Sequence, residues 1–366
     1  MSDFEVSLEK LSPVPAEAAQ AYGQFEDQLV EQMNRAMAAE PDIQRLIGGV
    51  PLEVMYQNHR NHASFMQNIF FFNQTSLLAA TIPWVYHSYH AHGFSYDYFR
   101  VALGHWLTFS AKVLEGQIGG EAILAIYQWM RDHHDEFIAQ AETEEVTQGM
   151  KATELDSEGR RFLGALLAGD RRDAYQLSQH LTSNEKDLER FYLQTVQPSL
   201  YQVGALWEQG DISVAHEHMA SAITSRIMSG LYARFMNDFP HRGQVLVTSA
   251  PNEFHEIGAR MVADLLEIDG WDVDYLGANT PAAELIRMAQ EKRPEWIALS
   301  VMMPFNLHTA ADTIRQVREA LGAETPKILV GGGVFSQLPD LWEALGADAC
   351  ADDARQAVQV LADSAP

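Results

Sequence analysis

Between Gln244 and Ala362 the chain alternates five times between a short strand-like run and a stretch with apolar residues at helical spacing. The strand runs are Gln244 to Ser249, Trp271 to Leu276, Trp296 to Val301, Lys327 to Val330 and Ala349 to Ala351. Helices are predicted over Ala259 to Ile268, Ala282 to Lys292, His308 to Leu321, Leu338 to Leu345 and Ala354 to Ala362. Strands separated by helices pair in parallel, so the expected architecture is a flavodoxin-like sheet. Ligands of such sheets bind beyond the carboxyl ends of the strands. The loop after the first strand reads Ala250-Pro251-Asn252-Glu253-Phe254-His255-Glu256-Ile257-Gly258. There His255, followed by a helix-entry glycine at Gly258, is able to ligate a metal. The same spacing also suits a turn whose histidine caps the next helix.

Upstream, four amphipathic patterns follow one another with short links, as in a helix bundle. Phe162 to Leu167 lies in the first, which Gly169 ends, and Ala174 to Leu181 forms the second. Ser183 is placed to cap the third, which carries Leu188, Phe191, Tyr192, Val196 and Leu200 and runs to Trp207. Pro198 falls inside it and should kink it. Gly210 ends it, and Asp211 or Ser213 opens the fourth, through Phe235. A polar stretch, Glu142 to Asp156, precedes the bundle, and Phe239 to Gly243 joins it to the sheet. The expected divisions are residues 1–150, 151–240 and 241–366.

The bundle carries a second signature: Val203-Gly204-Ala205-Leu206-Trp207, then Gly210-Asp211-Ile212-Ser213-Val214-Ala215-His216-Glu217-His218, then Ala220-Ser221. Together with the histidine loop, and over roughly residues 155 to 362, it resembles the cobalamin-binding module of the methionine synthase and light-responsive repressor type. That resemblance implies a bundle over the upper face of the corrin and a lower axial histidine, His255, with Glu253 orienting its ring. It implies that Trp207, Glu217 and His218 pack over an upper adenosyl group. Ser300, Met302 and Gly331-Gly332-Gly333 would form the pocket for the nucleotide tail. Glycine there lets backbone approach a ligand closely. The chain has Glu208 where several light-responsive repressors have a histidine that captures the metal after photolysis.

The first 150 residues carry helical patterns at Ala16 to Met37, Asp42 to Ile47, Leu52 to His62, Ala63 to Tyr89, Tyr96 to Glu115 and Gly120 to Ala141, and no alternating strand signal. Eight of the 14 histidines lie here, His59, His62, His87, His90, His92, His105, His133 and His134, among tyrosines and tryptophans. Such a set suits a flat conjugated ligand, with His87, His105 and Arg100 as candidate contacts. It equally suits a helical dimerisation domain whose aromatics are core. Gly93 to Arg100, His105-Trp106 and Tyr127-Gln128-Trp129 look faintly like a globin-type sensor, and this order of domains resembles that of photocobilins, which hold cobalamin and biliverdin. With Cys350 the lone cysteine, a bilin in this domain is non-covalent, and haem is the alternative.

A net charge of -25 repels phosphate backbones, so no nucleic-acid partner is expected. The most apolar stretch, Ile69 to Tyr86, is interrupted by Asn73, Gln74 and Pro83, so no membrane span is expected, and the start lacks a basic signal-peptide region. A cytoplasmic homo-oligomer acting on an unidentified downstream protein is the expectation. Neither a Walker loop nor a local nucleophile motif occurs, so the chain reads as a non-enzyme. The functional expectation is a light sensor binding adenosylcobalamin and biliverdin. Its alternatives are a corrinoid carrier of methyl groups and a haem or redox sensor with a regulatory cobalamin module.

Overall fold

The computed structural model describes residues 7–8, 10–143, 154–235, 242–338 and 340–364. Most of the expected polar stretch at 142–156 and of the joint at 239–243 lies outside them. The chain forms two compact units, Met1–Gly149 with Glu208–Gly210, and Met150–Trp207 with Asp211–Pro366.

The described residues of 1–143 are helical, with no strand among them. The helices are Ala16–Gln24, Glu26–Ala38, Ile43–Leu46, Leu52–Phe72, Thr75–Ala91, Tyr96–Val113, Gly120–Asp132 and His134–Ala141. Leu52–Phe72 runs unbroken across the expected boundary at residue 62 and stops at Asn73, which is left-handed at φ 52°. Asparagine tolerates that conformation, and its side chain secures it by accepting from Val14 N at 2.7 Å and donating to Val14 O at 3.2 Å. Aromatic packing fills the interior: the Trp106 and Tyr127 rings stack at 6.4 Å, and the Tyr22 and Tyr127 hydroxyls bond at 2.7 Å.

In the second unit the bundle helices are Ser157–Leu167, Arg171–Leu181, a composite from Glu185 to Glu208, and Val214–Phe235. Asp156, Asp170 and Asn184 cap the first three. The third cap is thus Asn184, whose Oδ1 accepts from Asp187 N at 3.0 Å, and not Ser183. The composite helix holds a π turn at Tyr192–Val196. Pro198 has no N–H for the carbonyl four residues earlier, and widening the preceding turn makes room for its ring. The irregularity thus lies one turn before the proline.

The sheet is β1 (Gln244–Ser249), β2 (Asp272–Gly277), β3 (Trp296–Ser300), β4 (Lys327–Gly331) and β5 (Ala349–Ala351), in spatial order β2-β1-β3-β4-β5. All pairings are parallel. This is the flavodoxin-like order, whose direction of winding reverses between β1 and β3. Between β4 and β5 the expected helix Leu338 to Leu345 is two short pieces, Gly333–Gln337 and Leu341–Ala344. Val245, Val247, Trp271, Trp296, Ala298 and Leu329 form a core with the helices on one face. The helix Ile257–Ile268 contributes Met261 and Leu265 to the core of the bundle, so bundle and sheet share buried surface.

Candidate functional site

The loop that leaves β1 is fixed at both sides of the point where the winding reverses. Ala250 N donates to Ser300 O at 3.0 Å, tying it to β3. Asn252 is left-handed at φ 65°, its N–H donates to Asn279 Oδ1 at 2.8 Å, and Asn279 N donates to Glu253 O at 3.0 Å, tying it to the end of β2. These bonds leave Glu253 fully buried.

A buried carboxylate needs donors, and Glu253 has five. Oε1 accepts from His255 N at 3.1 Å and lies 2.6 Å from His255 Nδ1. Oε2 accepts from Met302 N and Met303 N, each at 2.9 Å, and from Asn306 Nδ2 at 3.0 Å. Burial opposes the charge, but the His255 bond and attraction and the other donors outweigh it and hold the carboxyl below its ordinary value. Burial likewise pushes the His255 imidazole down, while the Glu253 bond and charge, with Glu217 adding, carry it above its usual range. A carboxylate only accepts, so Nδ1 carries the proton and Nε2 keeps its lone pair when the ring is neutral. That side chain is 58% exposed, and Nε2 has no hydrogen-bond partner among the described residues. A histidine so held presents one metal-binding nitrogen. Among the described residues no group of three His, Cys, Asp or Glu converges to hold a metal ion. The donor set thus fits a metal that brings its remaining ligands with it, as in a macrocycle.

Around this point, Ser300 ends β3 and takes part through its carbonyl, and Met302 takes part through its amide. The glycines of β4 have an explanation within the chain. A β-carbon on Gly332, at φ 115°, would lie 2.3 Å from Val301 O, and one on Gly331 would lie 2.8 Å from Ala351 O. Gly333 is buried and opens the helix Gly333–Gln337. Close approach of the chain to itself therefore requires Gly331 and Gly332, where approach to a ligand was the expected reason. Gly258, in the first turn after the loop, faces open space. Phe254 is 70% exposed beside His255, a large apolar surface the sequence reading passed over. Asn306 was missed as well, since no local pattern links it to a loop some fifty residues away.

On the bundle, Glu217 Oε2 lies 2.5 Å from His218 Nδ1, and Ser221 Oγ donates to Glu217 Oε1 at 2.8 Å. The Glu217 carboxylate adds to the attraction that raises the His255 imidazole. Trp207, near the end of the composite helix, is half-buried.

In the N-terminal unit the candidates have separate partners. Arg100 pairs with Asp135 at 2.8 Å on the surface, and His105 Nε2 lies 2.8 Å from Glu40. His87 Nδ1 donates to Ala141 O at 2.8 Å, while its Nε2 and the nearby Trp84 Nε1 are buried without a partner among the described residues. His59, between Asn34 Oδ1 at 2.6 Å and the Tyr98 hydroxyl at 3.0 Å, is pushed down to about 4 by burial and by His105, and belongs to the core.

Two family models match: residues 243–362 and residues 159–232 each match a B12 binding domain. The chain is 28% identical over 160 residues to Dimethylamine corrinoid protein 2 of Methanosarcina acetivorans, covering 43% of this chain and 73% of that protein. It is 35% identical over 136 residues to the HTH-type transcriptional repressor CarH of Myxococcus xanthus, covering 37% of this chain and 44% of the repressor. The monomethylamine corrinoid protein of Methanosarcina barkeri superposes with a TM-score of 0.49 at 19% identity, over 55% of this chain and 95% of that one. With both domain matches falling on the bundle and the sheet that carry the His255 site, this half of the chain is a cobalamin-binding module.

Proposed function

We propose that the protein is a light sensor that holds adenosylcobalamin in this module, with His255 as the lower ligand and Trp207, Glu217 and His218 against the upper group. The observation that supports the reading is the Glu253-oriented His255, together with a bundle motif in which Glu217 bonds both His218 and Ser221 and adds its charge at His255. Ser300, Met302 and Gly258 would lie along the approach for the rest of the ligand, with Gly331 and Gly332 half-exposed beside them and Gly333 buried behind. When bound, the cofactor supplies a cobalt–carbon bond that absorbed light can break. Trp207 and Glu217 hold the bundle closed while their neighbour is in place, and its loss releases the bundle and changes the quaternary structure. The N-terminal unit takes a non-covalent biliverdin, for which His87 and Trp84 offer idle ring nitrogens; Arg100 and His105 would have to leave their present carboxylate partners to join them. The output is read by an unidentified downstream protein, with no nucleic acid involved.

A second reading is favoured by one observation, the 28% identity to a dimethylamine corrinoid protein over 73% of its length. In it the module carries a methyl group for a methyltransferase partner. Absorption spectra of the chain reconstituted with adenosylcobalamin and biliverdin, before and after green light, separate the two. Light-driven loss of the adenosyl spectrum beside a far-red band supports the two-pigment sensor. A cobalamin spectrum unchanged by light overturns it in favour of the methyl carrier.

A further inference from the structure

The seam between bundle and sheet carries a line of polar groups that cobalamin binding does not use. The helices Val214–Phe235 and Ile257–Ile268 run side by side away from the site. Arg260 donates to Ser225 Oγ at 3.1 Å and Ser229 Oγ at 3.0 Å, and further along Tyr232 and Glu267 act on each other's charge. Between them Asp264, 5% exposed, accepts from the hydroxyl of Tyr192, the first residue of the π turn, at 2.7 Å. Met261 and Leu265 flank it within the bundle's apolar core. Among the described residues it has this one neutral hydrogen-bond donor, far fewer than an ionised carboxylate requires in such a place.

We propose that this seam is a proton-operated latch, closed while a neutral Asp264 carboxyl stays enclosed against Tyr192 and loosened when that carboxyl ionises. The groups facing Asp264 are consistent with it. Arg260, on the same helix, attracts the charge but is engaged by Ser225 and Ser229, and Glu267 repels it. From β2, Tyr275 turns its hydroxyl to Glu256 O at 3.1 Å, and Asp272 acts on Glu267. On the C-terminal helix Ala354–Asp363, Arg355 is taken by Glu189 of the bundle. Burial therefore dominates, over the opposing Tyr192 bond and Arg260, and pushes Asp264 from 3.8 up to about 6. A carboxyl raised in the closed form stabilises closure below its free value and loses that contribution as pH rises through about 6. The opening equilibrium should rise about tenfold from pH 5 to pH 7.5. The latch stands on the seam alone; that its opening uncovers the upper face of a ligand rests on the function proposed above.

The test uses the full chain without cobalamin, so its outcome does not depend on that function. Met261→Cys, with Cys350→Ser, places a thiol in the seam. Its labelling rate by a small thiol reagent, divided by that of a model thiol at each pH, reads opening. A tenfold rise from pH 5 to 7.5 that Asp264→Asn abolishes is the expected result. A rate that is flat in the parent, or that rises equally in Asp264→Asn, overturns the latch. If the cysteine variant does not fold, the carboxyl carbon resonance of Asp264 in the unaltered chain decides. A midpoint near 6 supports the proposal, and one near 3.8 overturns it.

Discussion

Glu253→Gln changes one atom of a carboxylate that accepts five hydrogen bonds. An amide has one acceptor oxygen, so its NH2 must face one of the two donor sets. Placed toward Met302 N, Met303 N and Asn306 Nδ2, it strands three donors. Placed toward His255 it strands only the backbone N–H, because the ring can adopt the other tautomer and accept at Nδ1. The second arrangement wins, at a cost of about 1–3 kcal/mol for the one stranded donor. Its consequence is chemical: the proton moves to Nε2, the nitrogen that faces outward. Ligation then requires the ring to give up that proton or its new bond, and loss of such an orienting partner typically costs about 10- to 100-fold in metal affinity. Titrating the ligand-free chain with hydroxocobalamin, and following the histidine nitrogen resonances, checks both steps. Affinity within twofold of the parent, with the proton still on Nδ1, would refute the reasoning.

Trp207→Ala should speed loss of the adenosyl form in the dark while total cobalamin bound stays the same, read by absorption after gel filtration; equal retention removes Trp207 from the upper face. Gly332→Ala places a β-carbon 2.3 Å from Val301 O at a φ of 115°, and urea unfolding should show a loss of about 3 kcal/mol or more; a loss below about 1 kcal/mol would mean the two loops separate freely. Asn73→Ala removes both bonds to Val14 and the residue type that tolerates φ 52°, for a cost of about 1–3 kcal/mol in the thermal unfolding of the N-terminal helices.

Much of the architecture could be read in the sequence because its signals are local. Each strand of the sheet is a short run bounded by turn residues, and a parallel sheet buries both faces, so Val245-Leu246-Val247 and Ile328-Leu329-Val330 announce themselves. The bundle helices were equally plain from their apolar spacing. What escaped depends on partners distant in sequence. The break at Asn73 is fixed by Val14, and the carboxylate of Glu253 is satisfied by a turn beginning at Met302. The π turn at Tyr192–Val196 precedes Pro198 and has no pattern of its own. The run of glycines at Gly331 and Gly332 stands out in the sequence, but the carbonyls of β5 and of the loop after β3 that crowd them come near only through the pairing of the strands. His87, His105 and Arg100 show the limit of composition: side chains of suitable type on neighbouring helices find different neighbours, in a backbone carbonyl, Glu40 and Asp135.

The phenyl ring of Phe254 has a colloidal consequence. Seventy per cent exposed beside His255, it leaves the ligand-free protein with a large apolar surface in water. The net charge of -25 counters this, since copies of the chain repel before two such surfaces can meet. That repulsion reaches only about 8 Å at physiological ionic strength and about 3 Å in 1 M salt. Ligand-free protein should therefore associate more readily in concentrated salt than in dilute buffer, and a ligand that covered the ring would lessen the difference.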